Sequence, residues 1–200
     1  RSRVNIGLHV IVRPRGGDFL FNDFEIETMK QDIEAMKQIG VDGIVLGSLT
    51  QDGEIDVPQT RALIERARPL SVTFHRAFDM CHDPIQSLET LIELGVDRLL
   101  TSGQEESVIE GIDLIRELQQ RAKDRIIIMP GGGITPRNLT KLVEYTGVKE
   151  VHFAAMKTVS SEMVFRNDRV YMGGTLRPPE YESQVADEKV IATMRTSLQS

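Results

Sequence analysis

The sequence predicts an α/β protein whose parallel strands close into a barrel of βα units, and three observations carry that expectation. Six short apolar runs, enriched in β-branched residues and flanked by turn residues, recur along the chain. Their starts are separated by 36, 28, 27, 27 and 25 residues, room for one strand, one helix and two loops each time. A helix-to-strand phrase also returns: Gly40-Val41-Asp42-Gly43-Ile44, Gly95-Val96-Asp97-Arg98-Leu99 and Gly147-Val148-Lys149-Glu150-Val151, at spacings of 55 and 52. Rebuilding one turn suits a ring of equivalent units better than a doubly wound sheet, whose switch point breaks the equivalence.

Taken in order, the first strand covers residues 8–12, with Leu8, Val10 and Val12 on one face and His9, Ile11 and Arg13 on the other. Phe24, Met29, Ile33 and Met36 then keep helical spacing up to a stop at Gly40. Strands follow at residues 44–49 and 72–74. Asp83-Pro84 opens the next helix, because Asp accepts from unpaired N–H groups and Pro lacks only a donor that has no partner there. That helix presents Ile85, Leu88, Leu91 and Ile92 and stops at Gly95. A strand at 99–101, a helix through Val108, Ile112, Ile115 and Leu118, and a strand at 126–129 come next. Thr135-Pro136 repeats the helix start, Gly147 stops that helix, and residues 151–153 form the sixth strand. The polar stretch 160–184, with Gly173-Gly174 and Pro178-Pro179, reads as a long loop before a last helix near 187–198. A complete TIM-type (β/α)8 barrel takes about 250 residues. The expectation is therefore one TIM-barrel-like domain over residues 1–200, N-terminally incomplete, with the first two βα units absent before residue 1.

Composition narrows the function classes. With 200 residues, 40% apolar and 27% charged, the chain has the material for a single core. Against 30 Asp and Glu stand 24 Lys and Arg, a net charge of −6, so no overall basic field exists to hold nucleic acid or an anionic membrane. No run of 18 apolar residues appears. One cysteine excludes an internal disulfide and the first residues lack a secretory apolar stretch, which makes a reducing cytoplasm the expected compartment.

In a barrel the site sits at the C-terminal ends of the strands, and here those ends are polar. Strand alternation sends Arg13, His75 and His152 to the face opposite the aliphatic residues, so all three converge near the barrel mouth. His75 with Asp79 is a candidate acid–base pair, and His152 is another candidate proton carrier. Arg13, Arg15 and Arg76 concentrate positive charge in an acidic protein and suit a carboxylate or phosphate, with Ser102 beside them; pairing with Asp18 and Asp79 is the alternative for these arginines. Gly131, Gly132 and Gly133 before a helix start could add backbone N–H donors, or serve only as a tight turn. Met80, Cys81 and His82 set a thioether, a thiol and an imidazole side by side, a weak soft-metal signal because adjacent residues rarely converge on one ion. No organic cofactor is indicated.

Four phrases then carry a resemblance: Ile11-Val12-Arg13-Pro14-Arg15-Gly16-Gly17-Asp18-Phe19, Val72-Thr73-Phe74-His75-Arg76-Ala77-Phe78-Asp79, Leu100-Thr101-Ser102-Gly103-Gln104 and Met129-Pro130-Gly131-Gly132-Gly133-Ile134, followed by Glu150-Val151-His152. In this order they resemble the CutC copper-homeostasis proteins. The resemblance implies a TIM-type barrel, a cytoplasmic location, copper binding or copper tolerance, and homo-oligomers. It also implies that the cysteines proposed for copper lie in two early strands that have no counterpart in these 200 residues. Two functional readings follow. One is a Cu(I)-binding homeostasis protein; the alternative is an enzyme of unknown reaction on a small anionic or phosphorylated metabolite held at the barrel mouth.

Overall fold

The computed structural model describes residues 5–173 and 179–198. Gly174 and Pro178 of the predicted long loop lie outside the described residues. Five parallel strands run in chain order across one curved sheet: β1 (His9–Ile11), β2 (Gly43–Leu46), β3 (Ser71–Phe74), β4 (Arg98–Thr101) and β5 (Ile127–Pro130). The register pairs Ile11 with Val45, Val45 with Thr73, Thr73 with Arg98, and Arg98 with Ile127. Each crossover carries a helix, namely α1 (Asp23–Ile39), α2 (Val57–Ala67), α3 (Pro84–Glu93) and α4 (Ile112–Ala122), while α5 (Leu139–Thr146) follows β5. Among the described residues the strands do not close into a ring, so the barrel is seen as an arc.

Period-2 alternation gives the sheet two unlike faces. Ile44, Leu46, Val72, Phe74 and Leu99 are fully buried beneath the helices, and Ile128 nearly so. Each such side chain contributes about 1.5–3 kcal/mol relative to exposure. Their sequence neighbours Val45, Thr73, Leu100 and Met129 face the concave side. From the helix layer Ile33, Leu63, Leu88, Leu91, Ile115 and Leu118 meet the sheet, all of them excluded from solvent.

Local signals set the helix ends. Asn22 and Glu25 form a reciprocal capping box on α1, and Gly40 and Gly147 end α1 and α5 in the left-handed conformation that glycine adopts at least cost. Asp83 accepts from Ile85 N and Gln86 N ahead of Pro84. Asp56 uses the same device on α2, a helix whose bounds the apolar spacing does not mark.

Several expectations shift. Phe24 lies on α1 but is 86% exposed, outside the buried stripe of Ile26, Met29 and Ile33. Val108 is buried in the turn before α4 and not in the helix. Thr135-Pro136 opens a turn; α5 starts at Leu139, because the Asn138 side chain accepts from Thr135 N and holds that turn apart. The strand expected at 151–153 is a single parallel bridge between Gly131 and His152. β5 ends on Pro130, whose carbonyl accepts from His152 N at 2.8 Å but which has no N–H to extend the ladder. Part of the expected long loop is instead an antiparallel ribbon of β6 (Met156–Ser160) and β7 (Glu182–Ala186), before α6 (Glu188–Ser197).

Candidate functional site

The concave face of the arc holds a cavity of about 650 Å³. Its apolar wall comes from Ile11, Val45, Leu100 and Met129, the inward positions of four strands. Its polar groups are His9, Thr73, His75, Arg98, Glu150 and His152. Thus two of the three side chains expected to converge, His75 and His152, share one cavity. Arg13 stands beside it: its guanidinium lies 4.4 Å from the Phe19 ring centre, and Phe19 packs at 5.0 Å on the His75 ring.

His75 follows β3 directly and opens a 3₁₀ turn, Arg76–Met80. Its Nδ1 accepts from Ala77 N at 3.1 Å, while its buried Nε2 has no partner. The ring lies against Gly47, where a Cβ would come within 2.5 Å of Cε1, so the close approach requires glycine. Burial pushes the imidazole pKa down to about 4, and the nearby Arg13 charge acts in the same direction against a hydrogen bond that raises it. At neutral pH the ring is uncharged.

Asp79 does not hydrogen-bond to His75. Its nearly buried carboxylate accepts from Arg76 Nε at 2.6 Å, from the Thr101 hydroxyl at 2.5 Å, from Ser102 N at 3.0 Å and from Gln104 N at 3.2 Å. Arg76 Nη2 also donates to Ser102 Oγ and to the Glu105 carbonyl. Gly132 closes over this knot, its Cβ position 3.3 Å from Ser102 and 3.4 Å from Arg76. Arg76, Asp79, Ser102 and Gly132 are therefore together, as an internally satisfied network that ties the loops after β3, β4 and β5.

The remaining candidates scatter. Arg15 is held by Glu25 at 2.6 Å and Asp18 at 3.0 Å and stacks on Phe21, which occupies its donors with local carboxylates. Glu25 sits below the usual carboxylate range, first through the Asn22 backbone N–H and then through Arg15. The expected helix N-terminus does not follow the triple glycine directly; Gly131 N donates to Thr101 O, and Gly133 O accepts from Asn138 Nδ2. Met80, Cys81 and His82 do not form a cluster. Met80 is 68% exposed, whereas the buried Cys81 sulfur accepts from Gln104 Nε2 at 3.4 Å. Burial raises the Cys81 thiol pKa, and Asp79 and Asp83 add to the rise. Among the described residues no group of three or more His, Cys, Asp or Glu is placed to hold a metal ion.

Sequence reasoning missed Arg98 and Glu150. Arg98 donates to Glu150 through Nε at 2.5 Å and Nη2 at 3.0 Å, and its buried Nη1 has no partner. That pairing holds Glu150 below the usual carboxylate range. The signal was available: alternation about Leu99 puts Arg98 and Leu100 on the concave face.

Comparison with known proteins places this geometry. The CutC family matches residues 1–157. A human protein named copper homeostasis protein cutC homolog is 50% identical over 194 residues, 97% of this chain and 71% of its own length. A CutC family protein of Parabacteroides distasonis is 53% identical over 188 residues, covering 94% and 77% of the two chains. A crystal structure of CutC from Streptococcus agalactiae superposes with a TM-score of 0.71 at 38% identity, over 74% of this chain and 72% of that one. An aldolase, QR15, shares the fold at a TM-score of 0.57 and 13% identity. With the expected motifs arranged along one concave TIM-type arc and half of the residues shared with such relatives, the chain belongs to the CutC family.

Proposed function

We propose that the protein serves copper homeostasis as a CutC-type, cytoplasmic, copper-handling protein. The observation that carries this reading is the 50% identity, over 97% of the chain, with the human protein named for copper homeostasis. Copper is then a cargo and not a resident cofactor. The segment Met80-Cys81-His82 supplies candidate soft donors one at a time and not as a preformed cluster, with the Met80 thioether exposed and the Cys81 thiol buried. The lone cysteine supports a reducing compartment. Assembly into a homo-oligomer is supported by the exposure of Met163, Val164, Phe165 and Met172 near the β6–β7 ribbon.

Growth of copper-sensitive cells lacking their own family member tests the role. Expression of this protein is expected to restore growth in copper medium, and an anaerobic Cu(I) titration against a chromophoric chelator is expected to show uptake that Cys81→Ser reduces. Unchanged growth together with no Cu(I) uptake by the unsubstituted protein would overturn the reading.

A further inference from the structure

We propose that Gln104 is a latch over the Cys81 thiol, an autoinhibitory contact between the loops that follow β3 and β4. The backbone marks it first. Gly103 and Gln104 come directly after β4 with positive φ angles of 77° and 60°. At Gly103 only glycine fits, because a Cβ would run into the Gly111 carbonyl. Gln104 is different. Among the described residues it is one of two non-glycine residues with positive φ, a region where a Cβ crowds the backbone and which persists only where surrounding contacts hold it.

Three hydrogen bonds hold it. Gln104 N donates to Asp79 Oδ1 at 3.2 Å, while Gln104 Nε2 donates to the Cys81 carbonyl at 2.6 Å and to the Cys81 sulfur at 3.4 Å. Asp79 is itself fixed by Arg76 Nε, the Thr101 hydroxyl and Ser102 N, so the main chain of Gln104 is anchored and its side chain reaches across to Cys81. The thiol residue is left 6% exposed, although its neighbours Met80 and His82 both face solvent. Both loops follow interior strands of the sheet, so the clasp is complete within the described residues.

The loop thus has two states. With the amide in place, sulfur is closed to a soft metal ion or an electrophile. Once the two side-chain bonds break, the contacts that offset the crowded backbone are gone, and the loop swings off the thiol while the core stays folded. The latch deepens the copper-handling reading and rests on it for the cargo: that reading names the ion, and Gln104 controls when the buried donor is reached.

Iodoacetamide labelling of the purified, reduced protein, followed by mass spectrometry, tests the latch at its single cysteine. In the unsubstituted protein labelling is expected to be slow and nearly independent of urea below the unfolding transition, the mark of a local opening. Gln104→Leu keeps the bulk and removes the donor, and Gln104→Ala removes both. Each is expected to label about tenfold faster than the unsubstituted protein. Asn22→Ala, which weakens the cap of α1 instead, is expected to label at the unsubstituted rate. A rate in the unsubstituted protein that climbs with the full urea slope of global unfolding, or either Gln104 variant labelling no faster than Asn22→Ala, would overturn the proposal. The urea criterion needs no substitution, so it stands even where a variant fails to fold. Faster labelling of the variants with no Cu(I) uptake by any of the proteins would support the latch and count against the copper reading.

Discussion

His75 concentrates the consequences of burial in one side chain. Its pKa falls from 6.5 to about 4 on folding, so between those values the unfolded chain carries a proton that the folded chain does not. Stability therefore drops as pH falls through this window and is unaffected by His75 above it, with a limit of about 3 kcal/mol. Urea unfolding of the unsubstituted protein and His75→Gln at pH 7, 6, 5 and 4 checks this, with the variant expected to lose the smaller fraction of its stability. Asp79 makes the opposite case, a carboxylate whose acceptors are all engaged. Asp79→Asn turns one acceptor into a donor facing donors, and a loss of about 2 kcal/mol in urea unfolding is expected. The sequence placed His75 near the barrel mouth through strand alternation and Asp79 through its position in the polar segment just after that strand, both of them local properties. It could not tell the unpartnered group from the satisfied one, since the partners Ala77, Thr101 and Gln104 reach them through turns and loops whose paths are set by packing.

Elements were legible where chemistry at their ends is local. Asn22 with Glu25, Asp83 with Pro84, and the glycines after α1 and α5 mark boundaries through hydrogen bonds spanning only a few residues. Asn22→Ala is expected to cost about 1 kcal/mol, read as a lower thermal midpoint, by removing the acceptor for Glu25 N. The β6–β7 ribbon was not legible, because its strands are exposed along their length and lack the apolar alternation that reveals a half-buried strand. Contact between elements adds a further prediction. Gly47→Ala sets a methyl group against the His75 ring, so the turn after β3 must shift at a cost of about 1–3 kcal/mol. The ¹⁵N resonances of His75 would report the displacement, and an unmoved spectrum would contradict the contact.

At the scale of the whole molecule, the ion pair of Arg98 with Glu150, 52 residues apart, ties the arc across its concave side. Glu150→Gln leaves the mostly buried Arg98 guanidinium short of a countercharge, and the bridge at His152 is expected to lose amide hydrogen-exchange protection while β2 and β3 keep theirs. Equal loss in all strands would show that the pair supports the core as a whole and not the sheet edge. The sequence by itself determined the βα order, the helix-facing half of each strand and the family. These depend on periodicity, on caps and on motifs read within a few neighbouring residues. Only the tertiary structure decided which donors are left unpaired, that Arg15 and Asp79 are consumed by their neighbours, and that Arg98 joins His75 on one cavity. Those outcomes depend on strand register and loop course, where groups tens of residues apart compete for the same partners.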